Sequence, residues 1–213
     1  MEVPLYPAQI GAMQPSILIA GILAAVTIAP GSASKPADVT VYVNGENTPP
    51  SAVDFRARTT VTWMFARAGV RLAWRGGEPK TGVRSASLVT VQIRFTREAP
   101  AEAIRGALAY ALPFGREGAT IFVMYGRIRT AAVRSNLEPP ILAHVLAHEI
   151  GHVLQGTNRH SETGVMKTQW NDYDYAAMEQ KPLEFTPHDV TLIQNGLNAK
   201  KARNAGLAPV ALP

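Results

Sequence analysis

Alternating apolar and polar positions predict five β-strands in the first 125 residues. The clearest alternation runs over 88–95, where apolar residues occupy 89, 91, 93 and 95 and polar residues lie between them. This period of two is typical of a strand with one buried face. The predicted strands, in chain order, are 38–43, 70–74, 88–95, 107–112 and 120–125.

A helical period of apolar residues follows the first strand. Apolar positions recur every three or four residues from Val53 to Ala68, which predicts an amphipathic helix. Ser51 is placed to cap its start, and Gly69 is placed to end it.

Two further helices are predicted in the second half of the chain. Two prolines at 139–140 open a helix that runs to about Gln155, and an irregular stretch follows to about Pro182. The sequence Thr-Pro-His-Asp at 186–189 begins another helix, which Asn195-Gly196 is expected to end. The order βαββββαα predicts one α+β domain with a mixed, mostly contiguous sheet.

The N-terminus predicts an exported protein. No charged residue occurs over 3–34, and the apolar run 16–29 is shorter than the roughly 20 residues of a membrane span. Small residues at positions −3 and −1 of a cleavage site after Ala33 predict a cleaved signal peptide over 1–33, although no Lys or Arg precedes the run. An uncleaved anchor, or a true start at Met13, is the alternative. We expect no stable membrane span, a catalytic domain over 34–197 and a flexible tail over 198–213.

Composition narrows the possible chemistry. The chain has 213 residues, 46% of them hydrophobic and 17% charged, which is typical of one globular domain. Its net charge is +5, but the arginines are scattered rather than interleaved with aromatics, which argues against nucleic-acid binding. Cysteine is absent, so disulfides, thiolate zinc sites and cysteine nucleophiles are excluded. Any metal must be held by His, Asp, Glu or water.

The second predicted helix, 139–155, carries the strongest chemical pattern, His148-Glu149-Ile150-Gly151-His152. Histidines four residues apart lie on one helical face and can bind one Zn²⁺. Glu149 lies at the flank, where it can act as general base toward a water molecule. Such a pattern arises by chance in about one chain in a hundred of this length, but here an apolar stripe beside it indicates a buried active-site helix.

The segment from His148 to Met166 resembles the metzincin zinc peptidases. The family pattern is His-Glu-x-x-His-x-x-Gly-x-x-His, followed by a turn that contains methionine. Here Gly156 falls four residues after His152 rather than three, and His160 falls eight residues after it rather than six.

The resemblance implies a zinc metalloendopeptidase with a protein or peptide substrate. It implies that His148, His152 and His160 bind zinc, that Glu149 is the general base and that Met166 lies beneath the metal. The strand at 107–112 is similar to the metzincin edge strand that runs beside the substrate, although an ordinary sheet strand would have the same pattern.

Several alternatives remain open at this point. The rival third ligands are three downstream glutamates, Glu162, Glu179 and Glu184. A non-catalytic exported binding or envelope protein, with a structural or vestigial metal, is the second hypothesis for the function. The oligomeric state, the substrate and the cleavage specificity do not follow from the sequence.

Other chemically active side chains receive a structural interpretation. His144 is expected to support the metal site or to be a satisfied core residue, and His188 to lie on the surface. Tyr173 and Tyr175 could approach a reacting group, but a packing or solvated role is preferred for both. The three tryptophans are predicted to be core residues: Trp63, Trp74 and Trp170.

Overall fold

A five-stranded mixed sheet organises the fold. The computed structural model describes residues 37–79, 89–98, 106–115, 118–132 and 135–204, so the predicted leader over 1–33 lies outside the described residues. All five predicted strands are confirmed, with shifted ends: β1 Val39–Gly45, β2 Leu72–Gly76, β3 Val89–Phe95, β4 Ala109–Gly115 and β5 Gly118–Val123. Their order is β2-β1-β3-β5-β4, with β4 antiparallel to β5 and every other pair parallel.

Five α-helices and one 3₁₀ turn complete the described structure. The helices are α1 Ser51–Arg67, α2 Tyr125–Ala131, α3 Glu138–Gln155, α4 Asp172–Gln180 and α5 Pro187–Asn204, and the 3₁₀ turn spans Ser135–Leu137. Helix α3 contacts α1, α5 and the edge strand β4. Its residues from Ile141 to Ala147 are all buried, so α3 lies within the hydrophobic core rather than on it. The five helices and the mixed sheet confirm the predicted α+β class.

The ends of α1 differ from the prediction at one side only. The N-cap is Pro50, no side chain caps the helix, and Ser51 is its first residue, so the predicted Ser51 cap is wrong. Gly69 ends the helix as predicted, with φ +74°, a left-handed conformation that glycine adopts at least cost.

Helix α5 passes through the predicted stop at Asn195-Gly196, so that prediction is wrong. A Cβ at Gly196 would lie 1.8 Å from the carbonyl oxygen of Leu154 in α3. This glycine therefore permits the close approach of two helices instead of ending one. Residues 198–204, predicted as part of a flexible tail, are the last turns of α5, and 205–213 lie outside the described residues.

Two helices were not predicted. Helix α2 begins at Tyr125, the last residue of the strand predicted over 120–125. Helix α4 occupies part of the predicted irregular stretch and begins with a capping box, in which the side chains of Asn171 and Asp174 bind each other's backbone N–H. Among the described residues, no helix combines the length and hydropathy needed to cross a membrane.

The tryptophan prediction is wrong for one residue. Trp63 is 43% exposed and lies beneath the guanidinium of Arg67 at 5.0 Å. Trp74 and Trp170 are partly buried and pack against the core.

Candidate metal centre

Two histidines on the last turns of α3 are held with their metal-binding nitrogens facing each other. His148 Nδ1 donates to the carbonyl of Val165 at 2.9 Å, and His152 Nδ1 donates to the carbonyl of Thr157 at 3.0 Å. These bonds place the proton on Nδ1 and leave a lone pair on each Nε2, as an outer hydrogen-bond partner does in metal sites. The two Nε2 atoms are 2.9 Å apart.

That arrangement fits a zinc ion. Two ligands at about 2.0–2.1 Å in tetrahedral geometry are separated by about 3.3 Å, so the two nitrogens need to part by only a few tenths of an ångström. Burial lowers the pKa of His148 from 6.5 to about 4, and burial also lowers the pKa of His152. Both imidazoles are therefore neutral near pH 7, which is the form that binds metals.

The chain leaves α3 through a left-handed residue and returns to the same face. Gly156 ends the helix with φ +69°, directly after the predicted last residue Gln155, and its N–H bonds to the carbonyl of His152 at 2.9 Å. The returning loop brings the exposed His160 ring to 5.3 Å from the His148 ring and 4.9 Å from the His152 ring, centroid to centroid. One nitrogen from each of the three histidines lies within 4.8 Å of the others.

The structure does not bring the rival glutamates to this cluster. Within the described part of the chain, the three histidines form the sole group of His, Asp and Glu that could hold a metal. Glu184 pairs with Arg67 at 3.2 Å, Glu179 accepts a bond from Asn136, and Glu162 is exposed.

The turn that contains Met166 packs against α3 at Gly151. Met166 is fully buried, and a Cβ on Gly151 would lie 2.7 Å from its sulfur atom. The glycine inside the His-Glu-x-x-His pattern therefore makes room for Met166. Gly164 has φ +77° and lies so close to the carbonyl of Glu184 that a Cβ would be 2.3 Å from it.

Glu149 is the chemically distinctive group next to these ligands. Burial raises its pKa from 4.5 to about 7. A carboxyl group with a pKa near the working pH can both accept and return a proton, as general acid–base catalysis requires.

His144 lies one turn before the cluster and is fully buried. Its Nδ1 donates to the carbonyl of Pro140 at 2.6 Å, and its Nε2 accepts the N–H of Leu183 at 2.9 Å. Both ring nitrogens are therefore engaged, which confirms that His144 is a satisfied core residue. Trp170 packs edge-on against His144 at 6.0 Å and against His148 at 5.8 Å, a contact that sequence reasoning missed.

The remaining candidates lie where simple packing places them. His188 is exposed, as predicted. Tyr173 is 87% exposed, and Tyr175 is partly buried against the core. Among the described strands, β4 pairs with β5 alone and so lies at an edge of the sheet, where its Leu112 is exposed.

A shallow cavity of about 320 Å³ lies beside the loop that carries His160. Its lining residues are Ser161, Glu162, Lys167, Thr168 and Gln169. In the cavity wall, Lys167 forms an ion pair with Asp174 of α4, with 2.6 Å between the ammonium and the carboxylate.

Comparison with solved structures identifies the fold. The chain is similar to archaemetzincin from Methanopyrus kandleri, with a TM-score of 0.52 and 14% sequence identity over 79% of this chain and 99% of that chain. The architecture is thus an archaemetzincin-like zincin fold. No protein-family model matches the chain, and the search of curated proteins finds no match.

Proposed function

We propose that this protein is a zinc-dependent peptidase that hydrolyses peptide bonds with Glu149 as general base. The observation that carries the proposal is the convergence of three imidazoles on one point. Three protein ligands leave a fourth position open, whereas a structural zinc site is closed by four ligands. The zincin fold supports the same assignment.

His148, His152 and His160 supply the nitrogen ligands. A zinc ion held by these residues would supply Lewis-acid chemistry, with a polarised carbonyl oxygen and a water pKa lowered to about 7. The Glu149 carboxylate accepts the proton of the attacking water and, as the acid so formed, delivers it to the departing amine. In the metal-free chain, burial raises the Glu149 pKa to about 7, which favours uptake of a proton by this carboxylate.

The edge strand β4 supplies a means of holding an extended substrate. A peptide that adds to such an edge gains main-chain hydrogen bonds without regard to its side chains. Specificity then depends on the loop around His160 and the cavity beside it. We propose a protein or peptide substrate on this basis.

We propose export of the enzyme on the basis of its apolar leader. Sequencing the N-terminus of the protein recovered from culture fluid tests the export proposal, because a chain that still begins at Met1 or Met13 contradicts cleavage.

Hydrolysis of a broad peptide library by the full chain tests the activity. We expect cleavage that is lost in Glu149→Ala and under chelation, and restored by zinc. Glu46→Ala is the control, since it removes an exposed carboxylate that does not line this cavity. A wild-type chain that binds one zinc and cleaves no peptide would instead favour the non-catalytic binding protein.

A further inference from the structure

Asp189 is a fully buried carboxylate at the start of α5. Its Oδ2 accepts the N–H of Thr186 at 2.9 Å and the hydroxyl of Thr186 at 2.7 Å, while its own N–H donates to that hydroxyl at 3.2 Å. These bonds form the capping box expected from the sequence Thr-Pro-His-Asp. The capping box engages Oδ2, so Oδ1 can accept hydrogen bonds from residues outside α5.

The other oxygen binds the loop that carries His160. Oδ1 accepts the hydroxyl of Ser161 at 2.6 Å and lies 3.4 Å from Nη1 of Arg159. The same Arg159 nitrogen donates to the Ser161 hydroxyl at 3.2 Å. In this loop Asp189 therefore binds Arg159 and Ser161, the two residues that immediately flank His160.

The location of this carboxylate explains why it can control the loop. Helix α5 packs directly on α3, which carries His148 and His152. A buried carboxylate is costly unless it is hydrogen-bonded and paired, so Asp189 strongly favours the arrangement in which all its donors are present. The main chain adds a second restraint, because Ser161 N donates to the carbonyl of Met166 at 2.7 Å.

We propose that Asp189 is a positioning residue for the third metal ligand, and that it acts on His160 through the hydroxyl of Ser161. His160 is exposed, and its return loop is two residues longer than the loop of the metzincin pattern. A longer loop restrains the position of its histidine less, so other contacts are needed to fix His160. The proposal rests on the metal site of the proposed function. It assigns to Asp189 a task beyond helix capping.

Two variants separate these tasks, because each removes one hydroxyl that binds Asp189. Ser161→Ala removes the bond to Oδ1 and leaves the α5 cap in place. Thr186→Val removes a bond to Oδ2 and leaves the loop bond in place. Zinc affinity of the full chain is measured with a competing chelator, and stability of the metal-free chain is measured by urea unfolding.

Removing an outer-shell partner weakens metal binding by about 10- to 100-fold, so we expect Ser161→Ala to lose about 10-fold in zinc affinity. Thr186→Val is expected to unfold at lower urea concentration and to keep the wild-type zinc affinity. In a His160→Ala background, Ser161→Ala is expected to have no further effect on zinc affinity, because the ligand that it positions is gone.

Three outcomes would overturn the inference. Equal zinc affinity for Ser161→Ala and wild type means that the loop bond does not position the ligand. A loss that persists undiminished in the His160→Ala background means that Ser161 acts through the other ligands or through the fold. Absence of zinc binding by the wild type removes the metal site itself, and the proposed function fails with it.

Discussion

Replacement of Glu149 by glutamine is expected to stabilise the metal-free protein, and to do so increasingly as the pH rises. Burial raises the pKa of this carboxyl from 4.5 to about 7. A carboxyl whose pKa is raised by folding stabilises the folded state below its unfolded pKa, and that stability is lost as the pH rises through 7. Because the pKa rises from 4.5 to about 7, at 1.36 kcal/mol for each pH unit, the ionised carboxylate lowers the free energy of unfolding by about 3 kcal/mol above pH 7.

The assay is urea unfolding of wild type and Glu149→Gln in chelator across a pH series. We expect the variant to be more stable by about 1 kcal/mol at pH 5 and by about 3 kcal/mol at pH 8, because the amide carries no charge at either pH. Burial lowers the pKa of His144 and His148 to about 4, so both chains lose stability as the pH falls from 6.5 towards 4. That loss is the same for wild type and Glu149→Gln, so it cancels in the difference between their free energies of unfolding.

Glu162→Gln is the control, since Glu162 is an exposed carboxylate, and it is expected to change stability by less than about 0.5 kcal/mol at every pH. With zinc added, the advantage of Glu149→Gln should shrink, because a neighbouring cation stabilises the carboxylate. A Glu149→Gln advantage that stays constant from pH 5 to pH 8 would refute the argument that burial of a charge is the cause.

Three further substitutions test the packing and the ligand set. Gly196→Ala forces a Cβ against the carbonyl of Leu154 and is expected to cost about 1–3 kcal/mol in unfolding free energy, whereas Gly76→Ala, with open space around it, should be nearly neutral. His144→Ala leaves the N–H of Leu183 without this partner, opens a cavity in the core, and is expected to cost about 3 kcal/mol while one zinc per chain is still bound. His160→Ala removes an exposed side chain and should leave stability unchanged while zinc affinity falls at least several-fold.

Urea unfolding and metal titration measure all three. Equal stability of the two glycine variants would contradict the close approach of α3 and α5. Loss of bound zinc in His144→Ala would make His144 a ligand rather than a core residue. A fall in zinc affinity of less than several-fold in His160→Ala would refute its assignment as the third ligand.

The misplaced helix boundaries have local causes. Helix α4 was not predicted because its start depends on the side chains of Asn171 and Asp174, and no apolar period marks its length. Helix α2 was not predicted because Tyr125 continues an apolar run that reads as strand. The Asn195-Gly196 pair was misassigned because a glycine has two uses, a stop or a close contact, and the sequence does not distinguish them.

The amino-acid sequence by itself determined the elements and the chemistry that depend on residues a few positions apart. Strand alternation, the i, i+4 pair of His148 and His152 and the left-handed exit at Gly156 are local properties, set by backbone sterics and helical period. Only the tertiary structure decided which side chain joins that pair. His160 reaches it through contacts of its neighbours with Asp189, about 30 residues away, and the Glu149 pKa rises because other elements exclude water around it. Interactions between distant segments and desolvation depend on the packed fold, and no local pattern records them.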